Sequence, residues 1–214
     1  MATEVSNGYI TTEALALRLG SDGDAVDGYG QELTDAVNTS SRAIDQWTGR
    51  RFWLDSSATA KQFGYDDIFV DERGRWTVRI KDASAITTVE TDDGDTGTWT
   101  ATTLYFAEPV NLERHGIEGW PYDTIVGVSG QQWRRTGDRP SVKVTATWGW
   151  AAVPETVRQA CVLLSKDEFK RRTQGLGDVA GIGDYAVRIR ANSHARELLQ
   201  PFCLTGGLAL GGVA

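Results

Sequence analysis

The hydrophobic residues of this chain change period twice, helical near both ends and alternating between them, and that order excludes an all-α or an all-β fold. Thr12 is positioned to cap a short helix over Glu13–Leu19, which Gly20 and the acidic, glycine-rich run SDGDAVDGYG then stop. A second helix is predicted over about Gln31–Thr48, with Leu33, Ala36 or Val37, Ile44 and Trp47 on one face and Gly49 at its end. From Arg51 the segments RFWLD, TAKQFGY, DIFVD, WTVRIK, AITTVE, TWTATTLYF and SVKVTATWGW read as strands separated by Asp/Gly/Ser turns. In the last, Val142, Val144, Ala146 and Trp148 alternate with Lys143, Thr145 and Thr147, the pattern of a sheet with one buried face. Pro109–Arg139, rich in glycine and charge, reads as a long loop.

Pro154 then opens a long helix to about Arg172. Its first half, with Val157, Ala160, Cys161, Val162, Leu163 and Leu164, is apolar on more than one side and must pack between other elements. The glycine-rich GLGDVAGIGDY, a short strand AVRIR, a short helix from about His194 to Leu199 and a stop at Pro201 follow, before the apolar tail LTGGLALGGVA. The expected class is α+β. Residues 1–50 and 151–203 form a helical bundle, because neither end can bury its stripe alone; 51–150 form an inserted antiparallel β domain, and 204–214 a flexible tail.

The net charge of −7 has the wrong sign for a protein that grips nucleic acid by neutralising phosphates. The first 150 residues carry the acidic excess, and the rest is slightly basic. No stretch approaches the roughly 20 apolar residues that span a bilayer, and MATEVSNGYITTEALALRLG lacks the basic start and apolar run of a secretory signal, so work in a cytoplasm is expected. Cys161 and Cys203 lack CxxC or Cys/His spacing and read as reduced, buried thiols.

Motifs with catalytic or ligand-binding overtones are each incomplete. His194 and Glu197 form HxxE on a helix, but no second such pair exists to complete a metal site. His115 stands among Glu113, Glu118 and Asp123 without a nucleophile at recognisable spacing. GLGDVAGIG fits neither phosphate-loop pattern and follows a helix, so it reads as a turn. DDGDTG, Asp92–Gly97, resembles the start of a calcium loop, yet Thr103 occupies the place of the closing glutamate and a β-turn is expected. Of the eight tryptophans, most fall at strand or helix-core positions; Trp120 and Trp133, in the irregular stretch, are the two placed for a protein interface. Lys170, Arg171 and Arg172 complement a helix C-terminus, with contact to acidic neighbours as the sharper alternative. No enzyme activity, metal or cofactor is expected.

Five segments taken in order, SRAIDQWTGRRF, VKVTATWGWAAVPETVRQACVLL, the basic end KRR, GDYAVRIR and ARELLQPF, resemble the head-to-tail connector (adaptor, or head-completion) proteins of tailed bacteriophages. The resemblance covers residues 31–55 and 141–203. It rests on the turn Thr48, Gly49, Arg50, Arg51, Phe52 and on Gly149 and Trp150 leading through Val153 and Pro154 into the long helix. The β region of about 90 residues between them exceeds the short hairpin of the smallest members.

The resemblance implies a structural, non-enzymatic virion protein of the neck, assembled in the host cytoplasm. It implies a dodecameric ring of identical subunits under the portal protein, a distal stopper or tail-completion protein, and DNA passing through without specific binding. It also implies portal contact by the C-terminal stretch, for which Pro201, Phe202, Leu204, Leu208 and Leu210 are the candidates. Tyr185, Val187 and Ile189, on a strand able to add to a neighbour's sheet, are the subunit-interface candidates. Asp22, Asp24, Asp27, Glu32 and Asp35 are the candidates for an acidic channel lining that keeps DNA sliding. The alternatives are a stopper of the same neck, a glycan-binding β module on a helical stem, and a hydrolase centred on His115.

Overall fold

A computed structural model of the chain describes residues 5–20, 26–135, 139–173, 189 and 192–204. The fold is α+β and divides into two compact units, Met1–Phe52 with Val153–Ala214, and Trp53–Ala152. None of the described helices is long and apolar enough to cross a membrane.

In the first unit, α1 (Thr12–Leu19) is capped by Thr11, whose hydroxyl accepts from the Ala14 N–H at 3.2 Å, one residue earlier than the sequence reading places the cap. Gly20 ends α1 in the left-handed conformation, φ 77°. Helix α2 (Val26–Thr48) begins inside the acidic glycine-rich run expected to be a break, and its departure from helical geometry is at Tyr29, φ −130°. The Tyr29 ring meets Phe169 edge-on at 5.8 Å. Helix α3 (Glu155–Thr173) packs on α1, α2 and α4 (Ser193–Leu199), which is why its apolar residues are not confined to one stripe. Leu33, Ala36, Val37 and Ile44 of α2 and Val157, Ala160, Cys161 and Leu164 of α3 are buried. Buried Ser41 donates to the Val37 carbonyl at 2.8 Å and lies 3.6 Å from the Cys161 Sγ. Burial pushes the Cys161 thiol up to about 11, so it is protonated at neutral pH and serves as a small apolar filler.

The second unit is built on an antiparallel sheet. Its strands are β1 (Thr59–Phe63), β2 (Ile68–Val70), β3 (Trp76–Thr91), β4 (Thr100–Thr102), β5 (Tyr105–Glu108), β8 (Tyr122–Gly127) and β9 (Val142–Trp148); β6 (Glu113–Arg114) and β7 (Ile117–Glu118) form a separate hairpin. The order is β1-β9-β3-β8-β5, with β2 and β4 also on β3. WTVRIK and AITTVE are one strand and not two: Asp82–Ser84 hold register irregularities inside β3 where a turn was expected. The predicted loop Pro109–Arg139 contains β6, β7 and β8; the β-branched run of Thr124–Val126 satisfies its backbone between β3 and β5. RFWLD is not a strand. On β9 the alternation holds, with Val142, Val144, Ala146 and Trp148 fully buried among Phe63, Ile80, Val89 and Ile125.

Gly149 closes this sheet's end. Its φ is +105°, its N–H donates to the Asp82 carbonyl at 2.8 Å, and a Cβ there would lie 1.9 Å from the Trp53 carbonyl oxygen. The Trp150 indole then donates to the Asp82 carboxylate at 2.9 Å and meets Trp120 edge-on at 5.1 Å.

Candidate functional site

The residues that carry the family resemblance in the first unit converge on the end of α2. Thr48 closes the helix: its hydroxyl donates to the Ile44 carbonyl at 2.8 Å and accepts from the Arg50 N–H at 3.2 Å. Gly49 takes φ +71°, which swings the chain out of the helix. Arg50, buried, then aims its Nε at the Phe202 carbonyl, 2.8 Å away. The Leu204 N–H donates to the Thr48 carbonyl at 3.0 Å, satisfying a helix-end acceptor that has no partner within the helix. Phe202 is fully buried, edge-on to Phe52 at 5.4 Å, and Phe52 is edge-on to Tyr9 at 5.6 Å. Residues 200–204 are thus stitched to the turn by one hydrogen bond from the Arg50 side chain, one main-chain hydrogen bond and an edge-on ring contact.

The other side of the turn is charged. Tyr9 accepts from the Phe52 N–H at 3.0 Å and donates to Asp45, which also pairs with Arg42 at 3.2 Å. Burial raises the Asp45 carboxyl to about 6, against the opposing pull of the Tyr9 hydrogen bond and of Arg42 and Arg51. Burial, then the Asp45 charge, raises the Tyr9 phenol, which stays protonated. The arrangement fastens three chain segments together, the stretch at Tyr9, the end of α2 and the turn at Phe52.

A cavity of about 360 Å³ lies elsewhere in the same unit, lined by α2, α3 and the start of α4, with Thr39, Leu164, Asp167, Arg171 and His194 on its wall. His194 and Glu197 are exposed, and among the described residues no group of three or more His, Cys, Asp or Glu is placed to hold a metal ion.

In the second unit the readings for Trp120 and Trp133 are corrected. Both are buried, at 1% and 0% exposure, so neither presents a face to a partner. Trp120 packs on Trp150 and His115, with the Arg114 guanidinium over its ring; Trp133 donates to the Trp76 carbonyl at 3.0 Å. Arg114 pairs with Asp123 at 2.9 Å, which ties β6 to β8. Trp120, Trp133, Trp148 and Trp150 are buried, and Trp47, Trp53, Trp76 and Trp99 are partly buried. His115 is exposed at the β6–β7 turn, φ +56°, with its ring edge on Trp120. The Asp92 carboxylate accepts from the Thr96 N–H at 3.1 Å and the Gly97 N–H at 2.7 Å, so the calcium-like run is a turn closed by its own backbone.

No protein-family model matches the chain, and no curated protein matches it in sequence. Its fold is found in a particle neck. A chain in a structure of the neck of an empty GTA particle, computed with C6 symmetry, matches with a TM-score of 0.54 at 16% identity, covering 98% of this chain and 96% of that one. A chain in the neck of a native GTA particle, computed with C12 symmetry, matches with a TM-score of 0.44 at 17% identity, covering 99% and 98%. The likeness to the first is one of fold along nearly the whole length, the β unit included.

Within that fold the predicted assembly residues separate. Of the portal-contact set, Pro201 and Leu204 are exposed, whereas Phe202 is buried inside its own unit; Leu208 and Leu210 lie outside the described residues. Of the interface set, Ile189 is helical and fully buried, so at that position the expected extended strand is not formed; Tyr185 and Val187 lie outside the described residues. Of the channel set, Asp22 and Asp24 and the side chain of Asp27 lie outside them, and Glu32 is half-buried on α2. Asp35 pairs with Arg172 of α3 at 3.3 Å and accepts from Gln31 of its own helix at 2.9 Å. Arg172 also pairs with Glu168 at 2.9 Å, within its own helix. Arg50 as a carbonyl clamp and the Tyr9–Asp45 pair had no sequence signal beyond their place beside the turn.

Proposed function

We propose that this chain is a structural, non-enzymatic subunit of the neck of a tailed phage or phage-like particle, a head-to-tail adaptor set in a ring of identical copies under the portal. The observation that carries the reading is the fold likeness to a chain of a GTA particle neck over 98% of this sequence, with both units included. The segments that resemble phage connectors, Thr48–Phe52 and Gly149–Trp150, both make specific contacts in the fold, which supports the same reading.

In this reading the helices from both chain ends form one bundle, and twelve copies close by a heterologous, head-to-tail contact. Tyr185 and Val187 stay the candidates for that contact. DNA passes a lumen to which Asp22, Asp24, Asp27 and Glu32 lend negative charge, so that the duplex slides without adhering. Pro201, Leu204, Leu208 and Leu210 meet the portal, and a stopper or tail-completion protein binds the distal side. Assembly takes place in the host cytoplasm.

The test is a cryo-EM reconstruction of the particle neck together with the protein composition of purified particles. The expected result is a ring of this chain between portal and stopper. Its absence from particles, or density for it only distal to another ring, overturns the adaptor assignment.

A further inference from the structure

We propose that the cavity at the basic end of α3 is the socket of the subunit contact, and that the β6–β7 hairpin of a second copy of this chain fills it, its Glu113 and Glu118 carboxylates meeting Arg171 and Lys170. The proposal rests on the reading above that identical copies close into a ring.

The cavity, of about 360 Å³, lies in the first unit between α2, α3 and the start of α4, and its wall mixes apolar with polar groups. Ala43, Leu164 and Ile189 supply the apolar part, and Arg171 is a cation on the same wall. Arg171 is half-buried, and Lys170 beside it is exposed. Among the described residues no carboxylate pairs with either. The acids around them are engaged, since Glu168 and Asp35 both pair with Arg172 and Asp167 accepts from the Asn192 amide at 3.0 Å. A half-buried guanidinium on a cavity wall favours a planar anion, and a carboxylate on a short apolar stem suits both parts of this wall.

The second unit carries that group. Glu113 and Glu118 stand directly opposite each other across the β6–β7 hairpin, and both are exposed. Like charges in that register repel, and among the described residues neither has a cationic partner, because Arg114 is taken by Asp123. A hairpin of two-residue strands does not hold itself, yet Trp120, buried against Trp150, and the Arg114–Asp123 pair fix its base. It therefore presents two unanswered carboxylates with little conformational freedom left to lose on binding. A head-to-tail ring needs two different surfaces on one chain, each complementary to the other. The acidic hairpin and the basic socket are such a pair, and their meeting relieves the repulsion in the one and the unmatched charge of the other.

The experiment uses the full-length protein and purified portal rings of the same particle, with ring formation on the portal read by native mass spectrometry and Tm measured on each variant. Glu113→Lys with Glu118→Lys, and separately Lys170→Glu with Arg171→Glu, are each expected to lower ring formation about tenfold or more at unchanged Tm. An equimolar mixture of the two reversed proteins is expected to regain it. In an alternating ring each reversed hairpin sits in a reversed socket and each native hairpin in a native one. If the α3 reversal lowers Tm, Lys170→Gln with Arg171→Gln takes its place, and the same loss of rings is expected. Wild-type protein that forms no ring on the portal overturns the ring reading. Wild-type rings beside unimpaired rings from a hairpin or socket variant overturn the socket alone, as does a mixture that stays as defective as its two components.

Discussion

Asp45 holds a carboxylate where burial favours the neutral acid, and its neighbours only partly compensate. Its folded-state value of about 6 exceeds the ordinary value of 3.8, so between these two pH values the folded protein keeps a proton that the unfolded chain has released. Stability therefore falls as pH rises from about 4 through about 6, by on the order of 2 to 3 kcal/mol, and is flat above. Asp45→Asn should remove that slope, read as Tm against pH from 4 to 7; parallel curves for the two proteins contradict the assignment. Gly149 is the other residue whose identity is dictated by contact. A methyl group there meets the Trp53 carbonyl oxygen in a backbone conformation unsuited to an L side chain, and Gly149→Ala should cost on the order of 3 kcal/mol or more in urea unfolding. A loss below about 1 kcal/mol would mean the strand end relaxes freely.

At the scale of elements, β9 and α3 were legible because each displays one periodicity strongly. Val142, Val144, Ala146 and Trp148 point to one face in sequence and in the sheet, and the apolar spread of α3 matches its packing on α1, α2 and α4. β3 was misread as two strands because Asp and Ser at 82 and 84 look like turn residues. In the fold Asp82 is consumed by the Trp150 indole and the Gly149 N–H, and Ser84 donates to the Thr147 carbonyl at 3.0 Å, so polar residues sit inside a strand with their bonds made. β8 was missed because glycines and charges around it dominate its composition, and only tertiary pairing with β3 and β5 fills its ladder. The β6–β7 hairpin is tied down by Trp120, and Trp120→Ala should cost roughly 3 to 5 kcal/mol and expose Arg114 and Trp150. A loss under 1 kcal/mol, measured by denaturant unfolding, would show the hairpin to be held by something else.

At the scale of the whole molecule, deleting residues 205–214 is expected to leave the unfolding transition in place while weakening attachment to the portal. A truncated protein with lowered Tm would place part of the tail in the core. The α+β class, the helical ends and the alternating β9 followed from periodicity and composition, since burial of one face imposes a repeat that a single chain displays openly. What only the tertiary structure decided is which exceptions to the repeat matter. Phe202 and Phe52 meet edge-on across 150 positions, Arg50 finds a distant carbonyl, and Trp120 and Trp133 turn inward from an irregular segment. These contacts are single, non-periodic and far apart in the chain, and nothing in local composition marks a residue whose partner is chosen by the meeting of two remote segments.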